Sequence, residues 1–277
     1  MPVLSIDDAG DPRIADYSGI PDPELARSRG VFVAEGRLVV QRLLSSRFTT
    51  RSLLVTAPAL EALAADLEPR PCLPVFVVPQ TVMNTVAGFN IHRGCLALGE
   101  RPAPAAWEDI ADVRRGEPSG SPAALVALER VGNMDNVGAT FRAAAAFGAA
   151  GVLLDQACAD PLYRKAIRTS MGAALQVPFA TDVALLDALA GLRRDGWAVV
   201  GLTPSADASS AREIFAGVRG TRVAIVLGHE GDGLTAPAMQ ACSHLARIPM
   251  PSDVDSLNVA MAAGIALYEL RQAGETR

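Results

Sequence analysis

RVAIVLGHEGDGL, residues 222–234, sets an apolar run directly against a glycine-rich, acidic loop. Val223 to Leu227 include no polar residue, so this strand needs cover on both faces, the pattern of a parallel sheet sandwiched between helices. Other short apolar runs repeat it: AALVALERV (123–131), GVLLD (151–155), WAVVGLT (197–203) and ARIPM (246–250). Helical patterns stand between most of them, namely NVGATFRAAAAFG, DVALLDALAGLRRDG and TAPAMQACSHL. The alternation predicts an α/β domain built on a parallel sheet. Such sheets take ligands at the carboxyl ends of their strands. The loops that follow the strands are therefore where chemistry is expected.

The first hundred residues read differently. PDPELARSRGVFVAEG (21–36) belongs to a polar opening arm, and GRLVVQRLLSS (36–46) is amphipathic. RSLLVT, LPVFVVP and GCLALGE are strand-like, while PALEALAADLE is helical, which together make a small α/β module. RPAPAAWED (101–109) and RRGEPSGSPAA (114–124) are rich in Pro, Gly, Ser or charge. They divide the chain into a module at 1–105, a linker at 106–121 and a larger domain at 122–277. On this division, removing residues 1 to about 105 leaves the larger domain intact.

At 277 residues, half apolar and one fifth charged, the chain has the composition of a soluble globular enzyme. Its apolar stretches fall short of the roughly 18 residues a membrane span needs, and MPVLSIDDAGDPR lacks a signal-peptide pattern. The expected location is cytoplasmic, with no membrane partner. Cys72, Cys95, Cys158 and Cys242 lie far apart with no CxxC pair, which signals neither zinc nor a disulfide framework. They are expected to be reduced and mostly buried, and no metal is expected. A net charge of -5 disfavours general affinity for nucleic acid, so any RNA contact needs locally basic surface. Arginine would supply it, since Lys165 is the only lysine.

Three loops are chemically unusual. In ERVGNMDNVGATFRAAAAFG (129–148), Asn136 sits where the loop becomes a helix, and Arg142 follows about one and a half turns later. Asn136 either caps the helix or faces a ligand. Arg142 is either a solvated charge or, set among alanines, one that needs a partner. In VLGHEGDGL (226–234), Gly228, Gly231 and Gly233 make a flexible turn, but Glu230 and Asp232 oppose a triphosphate. That loop suits a ribose, an amine or a sulfonium, and lone His229 is weak evidence for catalysis. In IPMPSDVDSLNVAMAAG (248–264), Ser256 stands at an N-cap position with Asn258 in the first turn.

In order and spacing, these three segments resemble the motifs of the SpoU (TrmH-like) family of RNA ribose 2'-O-methyltransferases, within the SPOUT superfamily. KAIRTSMGAALQVPF resembles the family's Ser-x-Gly-Ala segment, so the resemblance runs from about 122 to 272. It implies a parallel-sheet α/β domain closed by a deep trefoil knot, usually in a homodimer. The implied cofactor is S-adenosylmethionine, bound by Gly228, Gly231, Ile248 and Leu257, with Thr203 and Met250 at the adenine. Arg142 is the implied catalytic group, with Asn136, Glu230, Ser256 and Asn258 completing the site. Because a guanidinium stays charged, electrostatic stabilisation of the ribose alkoxide is expected of Arg142 rather than proton abstraction. FVAEGRLVVQRLLSSRFTTRSLLVT resembles the ribosomal-protein-like RNA-binding module that precedes many SpoU domains, with Arg37, Arg42, Arg47 and Arg51 on its RNA edge. Ribosomal RNA is then the expected substrate ahead of transfer RNA. An inactive RNA-binding protein of this fold and a base-directed methyltransferase are the other readings.

Overall fold

A computed structural model describes residues 2–19, 21–88, 94–112, 123–251 and 254–275. The chain divides into two compact units, one formed by 1–103 with 162–176, the other by 104–161 with 177–277.

The first unit is a five-stranded sheet: β1 (Val3–Ser5), β2 (Val31–Glu35), β3 (Thr50–Val55), β4 (Val75–Val77) and β5 (Cys95–Glu100), in the order β1-β4-β3-β5-β2. β1, β4 and β3 run parallel, and β5 and β2 join antiparallel. Its helices are α1 (Asp22–Arg29), α2 (Arg37–Leu44), α3 (Ala57–Ala62), α4 (Ala64–Leu67) and α5 (Gln80–Ala87). The opening segment is not a loose arm. Ile6, Ile14, Tyr17 and Leu25 are buried in the core with Val33, Leu54 and Leu98. The Tyr17 hydroxyl bonds Ser52 Oγ at 2.7 Å, and burial pushes its pKa above the usual tyrosine range. Ile6 lies in coil, Ile14 and Tyr17 in a short 3-10 turn, Pro12–Tyr17, and Leu25 is the buried residue of α1, so no sustained helix or strand period reveals them.

The second unit opens with α6 (Trp107–Asp112), inside the stretch read as linker. Tight contacts explain its order: a Cβ on Gly191 would lie 2.4 Å from the Trp107 ring, and one on Gly151 2.3 Å from Ile110. β6 (Ala124–Leu128), α7 (Met134–Ala146) and β7 (Gly151–Asp155) follow. The chain then makes an excursion into the first unit with α8 (Arg164–Thr169). It returns as β8 (Phe179–Val183), α9 (Leu185–Arg194), β9 (Ala198–Leu202), β10 (Ser209–Ser210), α10 (Ala211–Gly217), β11 (Val223–Leu227), α11 (Ala236–Ala241), β12 (His244–Arg247) and α12 (Val259–Glu275).

The seven strands form one parallel sheet, ordered β10-β12-β9-β11-β6-β7-β8. Leu125, Ala127, Leu153, Val199, Ala224 and Val226 share a core with α6, α9 and α11. Their alternates Val126, Leu128, Val152, Leu154, Val200 and Ile225 are equally buried, on the side of α7, α10 and α12, which pack together. Hence the strands read as continuously apolar. Order reverses between β6 and β11, which puts β11 beside the switch point of the sheet.

The excursion gives a firm expectation. Asp22 accepts a hydrogen bond from Arg164 N and pairs with its guanidinium at 2.9 Å, and Leu162, Ala166, Ile167, Ala173 and Leu175 are buried. Uncovering an aliphatic side chain such as Leu162, Ile167 or Leu175 costs about 1.5–3 kcal/mol each, a large part of the roughly 5–15 kcal/mol that holds a domain folded. Deleting residues 1–103 should therefore give an aggregating or strongly destabilised product, contrary to the clean separation expected from sequence. Size-exclusion chromatography and a thermal melt check this; a monodisperse fragment with an unchanged melting temperature would refute it.

Candidate active site

β11 ends at Leu227, and the chain immediately folds back on itself. Gly233 N donates to His229 O at 3.0 Å, while His229 Nδ1 accepts from Gly231 N at 3.0 Å and Asp232 N at 3.3 Å. His229 thus acts as the staple of its own loop, and its proton belongs on Nε2. The return strand passes so close that a Cβ on Gly228 would sit 2.2 Å from Gly233 C and 2.3 Å from Leu234 N. Gly233 itself adopts a left-handed backbone, φ 69°, which suits glycine.

The loop closes on a buried carboxylate that sequence reading passed over. Glu129, just beyond β6, accepts from Thr235 N at 2.8 Å and Thr235 Oγ1 at 2.6 Å, while Thr235 Oγ1 in turn caps α11. Two charge-assisted bonds tie the far end of the loop to the neighbouring strand. A lone Glu at a strand end carried no signal that its partner lay 106 residues away.

Beside this loop lies a cleft of about 390 Å³ at the carboxyl ends of β9, β11 and β12. Of the sequence candidates, Thr203, Gly228, Glu230, Gly231, Ile248, Met250, Ser256 and Leu257 line it. Leu202, Pro204, Leu227, Leu234, Met239, Val259 and Ala262 add apolar wall that only the fold reveals. The expected strand at 246–250 lies earlier, at His244–Arg247, which frees Ile248 and Met250 to face the cleft. Thr203 N donates to Ala246 O at 3.0 Å, joining β9 to β12, and its hydroxyl accepts from Ser205 N at 3.3 Å.

Asn136 and Asn258 form a relay to Glu230, which lines the cleft. Asn258 Nδ2 donates to Asn136 Oδ1 at 2.8 Å, and Asn136 Nδ2 donates to Glu230 Oε1 at 2.8 Å. Two side-chain bonds thus lock the first turn of α7 to segments 94 and 122 residues further along the chain. The helix caps differ from expectation. Asn133, not Asn136, caps α7, through Asp135 N at 2.8 Å. Asn258, not Ser256, caps α12: its Oδ1 accepts from Ala260 N at 3.0 Å and Met261 N at 3.3 Å. Ser256 is left exposed at the cleft.

Arg142 is the one candidate that stands apart. It is exposed on α7, does not line the cleft, and has no hydrogen-bond or ion-pair partner among the described residues. The desolvation cost that a charge among alanines suggested does not arise, because Arg142 itself faces solvent. Six residues separate it from Asn136, about 9 Å along the axis.

Two further expectations concern metals and thiols. Among the described residues no group of three or more His, Cys, Asp or Glu side chains is placed to hold a metal. All four cysteines are unpaired; Cys95 is buried, Cys158 and Cys242 are half-buried, and Cys72 is exposed. Burial pushes the Cys95 and Cys242 thiols up to about 12, so neither is a nucleophile at neutral pH.

A parallel sheet with a glycine-loop cleft at its carboxyl edge, lined also by Ser256 and Leu257 just ahead of α12, defines a ligand-binding α/β domain. The SpoU rRNA methylase family matches residues 123–268. An uncharacterized tRNA/rRNA methyltransferase of Mycobacterium tuberculosis is 37% identical over 99% of this chain and 93% of its own. Among solved structures, the AdoMet-bound rRNA methyltransferase of Sinorhizobium meliloti superposes with a TM-score of 0.80 at 27% identity, covering 98% of both chains. An RNA 2'-O ribose methyltransferase superposes at 0.75 with 25% identity, covering 98% of this chain and 99% of that one. The chain belongs to the SpoU rRNA methylase family, a class of S-adenosylmethionine-dependent RNA methyltransferases.

Proposed function

We propose that this protein methylates a ribose 2'-hydroxyl in RNA, ribosomal RNA ahead of transfer RNA, with S-adenosylmethionine as donor. The observation that carries the reading is the Asn258–Asn136–Glu230 relay at the rim of the cleft. It fixes a carboxylate where a cationic sulfonium would need a counter-charge, while apolar walls and loop amides suit an adenosine. The residues that would hold the cofactor are Gly228, Gly231, Ile248 and Leu257 through backbone, with Thr203 and Met250 beside the base. When bound, S-adenosylmethionine supplies an electrophilic methyl group. A ribose hydroxyl attacks poorly until its proton leaves or its alkoxide is stabilised. Arg142, fixed as a cation, supplies that stabilisation from the exposed surface where RNA arrives, while Ser256 and Asn258 orient the approach. The likeness to a ribose 2'-O-methyltransferase supports ribose over base, and the family's description supports ribosomal RNA.

The same proposal includes the family's trefoil knot, a cytoplasmic setting and a homodimer. The dimer is supported by α12, which exposes Met261 at 57% and Tyr268 at 47%, the latter edge-on to Phe147. Incubation with methyl-tritiated S-adenosylmethionine and either bulk ribosomal RNA or bulk transfer RNA tests the function. Label in a dinucleotide resistant to alkali identifies a 2'-O-methyl ribose; label only in mononucleotides would exclude it.

A further inference from the structure

The excursion between β7 and β8 does more than brace the first unit. Residues 36–56 and 161–176 together hold seven of the chain's 25 cations and none of its 30 carboxylates. In a protein of net charge -5 this is a marked segregation. The fold then brings the two segments together. Arg42 Nη1 donates to Met171 O at 2.8 Å, and a Cβ on Gly172 would touch Arg42 Cδ at 3.1 Å. Lys165 and Arg168, three apart, share the exposed face of α8. Arg37 is exposed on α2 beside Leu38, and Met171 is exposed in the turn that ends α8. Asp22 reaches into this group and pairs with Arg164.

The turn is held in a conformation that presents Met171. Met171 is one of three non-glycine residues with positive φ among those described, at 53°, and Gly172 follows at 86°. Buried Ser170 secures it, its Oγ donating to Ile167 O at 2.9 Å and accepting from Gly172 N at 3.2 Å and Ala174 N at 3.3 Å. An ordinary solvated charge needs no such framing of its neighbour.

We propose that α2 and the excursion helix α8 together form one RNA-backbone-binding surface, with Arg37, Arg42, Lys165 and Arg168 meeting phosphates and Leu38 and Met171 meeting exposed bases. It rests on the reading that the substrate is RNA. What is new is that part of the RNA-gripping face of the first unit comes from sequence lying inside the second. Phosphate contacts position a substrate without reading its sequence, so this surface sets affinity and leaves the choice of nucleotide to the cleft.

The test uses the full-length chain with Lys165→Gln/Arg168→Gln, with Arg37→Gln, and with Arg194→Gln on α9 as a control exposed in the other unit. Affinity for a fluorescently labelled RNA hairpin is measured across a salt series, with S-adenosylmethionine binding and the melting temperature in parallel. The double variant should bind about tenfold more weakly and its log affinity against log salt should flatten by about 1.5. Arg37→Gln should flatten it by roughly half as much, and cofactor binding, melting and the Arg194→Gln control should not move. Unchanged affinity and slope in both basic-face variants, with a wild type that binds and methylates RNA, overturn the surface and leave the function standing. Equal weakening by Arg194→Gln overturns it as well. A wild type that neither binds nor methylates RNA overturns the functional reading itself.

Discussion

Gly228→Ala should lower methyl transfer at least about 100-fold, the scale of a 1 Å misplacement in a catalytic site, and weaken S-adenosylmethionine binding with it. The added Cβ would lie 2.2 Å from Gly233 C, 2.3 Å from Leu234 N and 2.4 Å from Gly233 O. All three obstacles are backbone, so no rotamer change relieves the contact. The return limb must move outward, and it is anchored at both sides, by His229 Nδ1 on Gly231 and Asp232 and by Glu129 on Thr235. Yielding therefore deforms the wall of the cleft. β11 lies behind it, and Val223 to Leu227 stay packed in the sheet centre, so the variant should remain folded. Calorimetric titration with the cofactor, beside a circular dichroism melt, separates these effects. Near-normal cofactor affinity in a folded Gly228→Ala protein would show that this loop is not the cofactor's support.

The same loop shows what the amino-acid order reveals and where it stops. β7 coincides with GVLLD and β11 with the centre of RVAIVLG, because a strand buried on both faces writes its burial into every residue. β8 went unread, since FATDV contains Thr181 and an Asp182 at positive φ and looks like a turn. The excursion was hidden for a different reason: RKAIRT is an ordinary amphipathic turn, and only tertiary packing decides which unit it joins. At the site, most cofactor candidates came from motif resemblance and meet in one cleft. The relay could not be foreseen in detail, because which asparagine caps a helix and which reaches across depends on where the helix starts. Ser256 and Asn258 both suit an N-cap; the first turn begins at Val259, so the role falls to Asn258. Glu129 shows the opposite limit, a single buried acid whose partner is distant in sequence.

Arg142→Ala should leave the melting temperature and cofactor affinity unchanged and lower methyl transfer by about 10²–10³-fold, the usual loss when one preorganised charge stabiliser is removed. Its exposure on α7, without a partner among the described residues, predicts no structural penalty. Asn136 on the same helix makes a different forecast. Asn136→Ala would strand Glu230 Oε1 and Asn258 Nδ2 without their partners, so cofactor binding and turnover should fall together. Arg142→Lys then separates charge from shape. A lysine keeps the positive charge but lacks the planar fork that can bond two oxygens at once, so partial recovery, with a raised apparent KM for RNA, is the expected result. Single-turnover methylation with saturating RNA reads the chemical step directly. An Arg142→Ala enzyme that turns over at the wild-type rate would move the catalytic charge elsewhere, and the cleft's own rim at Ser256 and Glu230 would have to account for activation of the methyl acceptor.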